Sequence, residues 1–113
     1  MAVNPYDKAH ELARAITESA QYLNYIEAQK VIENKPELKD KLLQLRSQQI
    51  ELNRAQALGE EIDQELMVQV SSEFAKLNQI QELANFFAAE GQFIILFNDI
   101  QQIIQKKVEQ GLE

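Results

Sequence analysis

The fold is decided by the stretch PELKDKLLQLRSQQIELNRAQAL (Pro36–Leu58), GEEI (59–62) and DQELMVQVSSEFAKLNQIQELANFFAAE (Asp63–Glu90). In both long segments apolar residues recur at intervals of three and four, which is the spacing of an amphipathic helix. Gly59 is suited to end the first helix and Asp63 to cap the second. Because the connection is short, the two helices should be antiparallel neighbours. The stretch therefore predicts a long helical hairpin with arms of about 35–42 Å.

Each predicted arm carries a second line of apolar residues beside its main one. Leu43 and Ile50 belong to this line on the first arm, and Ile80 and Phe87 belong to it on the second. A helix with two apolar lines usually contacts two neighbours. The hairpin is therefore expected to be the middle of a larger packed assembly.

Two glutamines, Gln49 and Gln56, occupy the main apolar seam of the first arm. A polar side chain in such a seam can fix register and partner number at some cost in stability. Alternatively, both side chains reach solvent where the seam frays. The sequence leaves the two interpretations open.

Helices are also predicted on both sides of the hairpin. Asn4-Pro5 is a strong helix start, and the apolar residues that follow change faces near Glu18–Ser19. Ser19 is a candidate N-cap for a second helix, the alternative being one continuous helix to Asn34. Gly91 permits a bend or stop, so a fifth helix is expected after it. The prediction is an all-α fold of about five helices in a single domain, residues 1–113.

Composition excludes several classes of function. The chain has 113 residues, only 3 Gly and 2 Pro, no Cys and a net charge of -7. The absence of cysteine removes disulfides, thiolate nucleophiles and cysteine-held metal clusters. Scattered basic residues in an acidic chain disfavour direct nucleic-acid binding and anionic membranes. With no apolar run of membrane-span length and no secretory signal at the N-terminus, we expect a cytoplasmic protein.

Candidate chemistry is sparse. Asp7 and His10 stand three residues apart, as in the acid–x–x–His pairs of metal-binding helical bundles. His10 is the only histidine, however, so an exposed His beside a first-turn Asp is the favoured interpretation. No phosphate-cradling Gly loop or nucleophile motif is present, so no enzyme, cofactor or metal is expected. A ligand- or metal-binding bundle remains the alternative hypothesis.

Specific residues give the chain a resemblance to a known family. They are Met1-Ala2-Val3-Asn4 with Tyr6-Asp7, the Gly59-Glu60-Glu61-Ile62 loop, and a final part containing Leu83, Phe87, Glu90, Phe93, Leu96, Ile100 and Ile103-Ile104. With these residues the chain resembles the YlbF/YmcA/YheA-like family of small all-helical bacterial proteins, and the YheA branch most closely.

The resemblance implies a helical fold with a long antiparallel hairpin, commonly associated as dimers. Some relatives are linked to competence, sporulation and biofilm formation through a complex that affects RNA processing and carries iron–sulfur clusters. Cluster binding does not transfer, because no cysteine is present. An accessory subunit of an RNA-processing regulatory complex is therefore a further alternative.

The leading hypothesis is a non-enzymatic, cytoplasmic helical protein that forms a homodimer and binds another protein. This hypothesis rests on the predicted helices, which carry more apolar surface than one small core can bury. The residues predicted to lie at an interface are Leu43, Ile50, Ile80, Phe87, Phe93, Ile94 and Ile95.

Overall fold

A computed structural model describes residues 3–112, which form five α-helices and no β-strand. The helices are α1 (Pro5–Thr17), α2 (Ala20–Glu33), α3 (Pro36–Ala57), α4 (Gln64–Leu77) and α5 (Gln81–Leu112). The predicted all-α class with five helices is confirmed. Met1-Ala2, at the start of the family resemblance, lies outside the described residues.

The first two helices are separate, as the change of apolar face predicted. Asn4 caps α1 by accepting a hydrogen bond from the Tyr6 amide at 2.9 Å. Ser19 caps α2, since its hydroxyl accepts from the Tyr22 amide at 3.2 Å. The same hydroxyl donates to the Ile16 carbonyl at 2.6 Å. Ser19 therefore satisfies backbone groups at the end of one helix and the beginning of the next.

The connection between α3 and α4 is built as predicted. Gly59 has φ of 71°, the left-handed conformation that favours glycine. The Glu60 amide donates to the Ala55 carbonyl at 3.0 Å, and the Gly59 amide donates to Gln56 at 3.2 Å. These two bonds close a Schellman motif at the end of α3. Asp63 then caps α4 by accepting from the Glu65 amide at 3.0 Å, so the two helices pack as neighbours.

The second arm of the hairpin is shorter than predicted. The segment Asp63–Glu90 divides at residues 78–80, and α5 runs unbroken through Gly91. At the division the amides of Asn78, Gln79 and Ile80 donate to carbonyls three or four residues earlier. These hydrogen bonds close the turn without glycine or proline. The turn lets Leu77 and Leu83, which would lie on different sides of one straight helix, both be buried. The prediction that Gly91 separates two helices was wrong.

The chain divides into two compact units, residues 3–28 with 88–112 and Gln29–Phe87. All the buried apolar side chains among the described residues belong to the second unit: Ile32, Leu45, Val70, Leu77, Leu83 and Phe86. The first unit has none. That the whole of 1–113 forms one domain stays a prediction.

Candidate interaction surfaces

In the unit formed by 3–28 and 88–112, an aromatic cluster joins α2 to α5. The Phe93 ring stacks on Tyr25 with centroids 5.5 Å apart and meets the edge of Tyr22 at 5.8 Å. Phe97 lies 6.1 Å further along α5. The Tyr25 hydroxyl also donates to Glu90 Oε2 at 3.3 Å. Phe93 was predicted to lie at an interface, and the structure places one side of its ring against its own chain.

A second aromatic cluster lies within Gln29–Phe87. The rings of Phe74 and Phe87 are 4.8 Å apart, and Phe86 meets Phe87 at 5.9 Å. The Arg46 guanidinium stands 6.0 Å from the Phe86 ring and 5.9 Å from Phe87, within the range of a cation–π interaction. Phe87, another predicted interface residue, therefore packs inside its own unit and stays half-buried, as does Ile80.

Four of the seven predicted interface residues are open to solvent. Leu43 and Ile50 on α3 are 57% and 65% exposed. Ile94 and Ile95 on α5 are 48% and 55% exposed. Their availability to a partner agrees with the prediction, and their place in an interface stays a prediction.

Sequence reasoning left the last turns of α5 out of the interface. Ile103, Ile104 and Val108 are all more than half exposed, and every described residue from 101 onward is exposed. The signal was present, since these residues continue the spacing of three and four that runs along α5. Their spacing placed these residues on the fifth helix but predicted no neighbour that would cover them.

The two glutamines of the α3 seam have different environments. Gln49 is half-buried and accepts a hydrogen bond from Arg46 Nη1 at 2.9 Å, whereas Gln56 is exposed. A third glutamine, Gln48, lies at the junction with α4 and has a buried Oε1 without a hydrogen-bond partner. An unpaired buried acceptor destabilises the folded state. The polar seam is thus partly satisfied within the chain.

Two ion pairs fasten α3 to its surroundings within Gln29–Phe87. Lys35 binds the carboxylate of Glu82, and its hydrogen bond holds the pKa of Glu82 below its ordinary value. Lys39 Nζ lies 2.9 Å from Glu33 Oε2, and that hydrogen bond raises the pKa of Lys39. All four side chains are solvated, so the pairs orient side chains more than they stabilise the fold.

The candidate metal-ligating pair, Asp7 and His10, lies on α1 with both side chains exposed. Asp7 occupies the first turn, where a helix dipole favours an anion. Across residues 3–112, no three His, Asp or Glu side chains gather closely enough to hold a metal ion. The geometry gives no support to the metal-binding alternative.

One groove on the surface offers only amides and alkyl groups. It has a volume of about 430 Å³, lies beside α2 and α5 and is lined by Ala20, Gln21, Asn24, Ala88, Ala89 and Gln92. Its lining has no side chain that could act as a nucleophile, acid or base. In the described part of the chain, no helix combines the length and the apolar character needed to span a bilayer.

Known proteins share this architecture and sequence. Residues 6–109 match the family model described as control of competence regulator ComK, YlbF/YmcA. A UPF0342 protein of Staphylococcus saprophyticus is 31% identical over 110 residues, 97% of this chain and 96% of the relative. Another, from Halothermothrix orenii, is 33% identical over 107 residues, 95% and 91% of the two chains. A solved structure from Bacillus stearothermophilus, titled a protein of unknown function (DUF964), superposes with a TM-score of 0.84 at 25% identity and 95% coverage of both chains.

Proposed function

Because the chain belongs to the YlbF/YmcA family, whose description is control of a competence regulator, we propose that it is a regulatory interaction protein. In this proposal it is a cytoplasmic, non-enzymatic helical protein that self-associates and binds another protein. The nearest branch of the family, predicted to be YheA, stays a prediction.

The observation that carries this proposal is the uneven distribution of buried apolar surface. Within the described residues of 3–28 and 88–112, no side chain is fully buried. The same unit exposes Leu23, Ile94, Ile95, Phe97, Ile103, Ile104 and Val108. Burial of apolar surface is the main stabilising contribution to packed helices. A partner that covers these residues would supply the burial that the unit lacks.

Exposed apolar surface of this extent also supports a binding function. Clustered apolar side chains on a soluble protein commonly indicate a protein interaction site. Leu43 and Ile50 offer a second such surface on α3. One such surface in each unit supports a protein that binds a copy of itself and a different partner.

Sedimentation equilibrium across a concentration series tests self-association. We expect a mass approaching twice the 13.0 kDa of the monomer as concentration rises. A mass that stays at that of the monomer up to about 100 μM would contradict the proposal, since a specific helical dimer has a dissociation constant well below that concentration.

The second part of the proposal concerns the partner of α3. Ile50→Lys places a charge on the Leu43–Ile50 surface, and Ser47→Lys places one on an exposed position of the same helix between them. In affinity purification from the native cell, the unchanged protein should recover a partner that Ile50→Lys fails to recover. This expectation holds whether or not Ser47→Lys also loses the partner. Identical recovery with all three proteins would contradict the role of this surface.

A further inference from the structure

A long, exposed and largely apolar line of residues runs along α5. It comprises Ile94, Phe97, Gln101, Ile104, Val108 and Leu112, and we call it the α5 outer line. Successive members are three or four residues apart, so they lie on one side of the helix over about 27 Å. Its five apolar members are between 42% and 82% exposed.

The chain's own elements cover a different side of α5. Phe93, Leu96 and Ile100 are half-buried, and Phe93 packs against the tyrosines of α2. At 100° per residue, these three positions point roughly 90° away from the outer line. A neighbour could therefore lie along the whole outer line without displacing the aromatic cluster.

The spacing of the outer line is nearly the same in both chain directions. A two-fold axis beside residues 102 and 103 places Phe97 opposite Val108 of a second copy and Ile94 opposite Leu112. Such an axis produces an isologous interface, in which each contact occurs twice. Near the axis, Gln101 lies level with Ile104 of the second copy and diagonally across from its own copy, and an amide suits that position because it both donates and accepts.

Charge also favours a second copy as the occupant. The whole chain has a net charge of -7, so most pairs of identical surfaces would repel. Residues 94–112 contain two acids, Asp99 and Glu109, and two lysines, Lys106 and Lys107, which gives a formal charge of zero. No member of the outer line is charged. This face can therefore approach its own copy without bringing like charges together along the seam.

We infer that two copies of the chain pair through the α5 outer line, with their α5 helices antiparallel and a two-fold axis beside residues 102 and 103. This inference rests on the proposed self-association and specifies its surface and direction. At an ordinary interhelical distance, the two Gln101 Cα atoms lie about 6 Å apart, whereas the two Gln102 Cα atoms point outward at about 11 Å. Phe97 lies close to Val108 of the second copy and about 16 Å from its own copy.

Single cysteines test this geometry directly, because the chain has none of its own. A disulfide needs Cα atoms about 4–7 Å apart. In a glutathione redox buffer, Gln101→Cys should form a covalent dimer, and Gln102→Cys should not. Phe97→Cys and Val108→Cys should each stay uncrosslinked alone and form a heterodimer when mixed. If each crosslinks to itself alone, the helices are parallel and the inference is wrong.

A charge substitution separates the surface from self-association as such. Ile104 belongs to the outer line, and Ile103 beside it is 69% exposed on another side of α5. Ile104→Lys should raise the dimer dissociation constant at least about 30-fold, with Ile103→Lys changing it little. Because both positions are exposed, circular dichroism should show unchanged helix content.

The outcomes distinguish the two claims. A dimer by mass that gives no Gln101→Cys crosslink, or that tolerates Ile104→Lys, overturns the α5 geometry and leaves self-association intact. A chain that is monomeric throughout the concentration series overturns both. Crosslinking at Gln101 with the heterodimer from Phe97→Cys and Val108→Cys supports both.

Discussion

Truncating two leucines of α3 compares a buried side chain with an exposed one on the same helix. Leu45 is fully buried at 0% exposure, whereas Leu43 is 57% exposed. Leu45→Ala loses the transfer free energy of three buried carbon atoms and leaves a cavity, which together cost about 3 kcal/mol. Leu43 keeps less than half of its surface covered, so Leu43→Ala should cost under about 1 kcal/mol in dilute solution.

Urea unfolding followed by circular dichroism measures both values. With a slope of about 1.5 kcal/mol per molar urea, Leu45→Ala should lower the midpoint by about 2 M and Leu43→Ala by less than about 0.7 M. Repeating the urea unfolding at higher protein concentration also tests Leu43 as an interface residue. If Leu43→Ala weakens association, its loss in free energy of unfolding should increase with protein concentration. The reasoning fails if Leu45→Ala costs less than about 1 kcal/mol, or if the two variants are equally destabilised when dilute.

Three further predictions follow from the backbone and from polar groups. Gly59→Ala should destabilise the fold by about 1 kcal/mol because Gly59 has a positive φ, whereas Gly91→Ala should stabilise it by about 0.5–1 kcal/mol, since a Cβ at this position of α5 meets nothing within 4 Å. The two variants should therefore shift the urea midpoint in opposite directions. Shifts of the same sign would contradict a helix that continues through Gly91. Gln48→Met should stabilise by about 1 kcal/mol in the same assay by removing the unpaired acceptor, and a loss would show that its Oε1 is satisfied. Because Lys35 lowers the pKa of Glu82, their ion pair stabilises the fold at pH values above the ordinary carboxyl pKa, and this stabilisation is lost as the pH falls through the lowered pKa. Glu82→Gln should therefore lower the melting temperature slightly at neutral pH and leave it unchanged in acid. A difference in melting temperature that grows in acid would contradict the ion pair.

Local signals in the sequence were enough to place most helix ends. Asn4, Ser19 and Asp63 each carry a short polar side chain that caps a helix in the structure. Gly59 provides the left-handed residue that ends α3. These features depend on one residue and its immediate neighbours, so a sequence reveals them without knowledge of the fold.

The boundary between α4 and α5 was missed because no local signal marks it. The segment around Asn78 has no glycine or proline, and its good helix formers favour continuity. The available signal was the change of apolar face between Leu77 and Leu83, the same kind of change that located the break at Ser19. Gly91 misled for the opposite reason. A single glycine costs about 1 kcal/mol in a helix, which the long flanking segments of α5 offset.

The candidate interfaces were only partly accessible to sequence reasoning. Spacing identified Leu43 and Ile50 as a surplus apolar line, and both are exposed. The same reasoning could not show that Phe87 and Phe93 contact aromatic rings of their own chain, since those contacts join residues distant in sequence. It also placed Ile104 and Val108 on the apolar stripe of the fifth helix without including them in an interface. Which apolar residues remain uncovered is decided by packing, and packing is not a local property.

The restriction of full burial to Gln29–Phe87 has a consequence for synthesis on the ribosome. Every buried side chain among the described residues, from Ile32 to Phe86, is translated before the last turns of α5. Compact units generally fold in the order in which they emerge, and the contacts between α3 and α4 are close in sequence, which favours rapid folding. The residues of the core therefore emerge from the ribosome ahead of the α5 outer line. Nascent chains on one messenger would thus expose this apolar segment last, after the residues of the core have emerged.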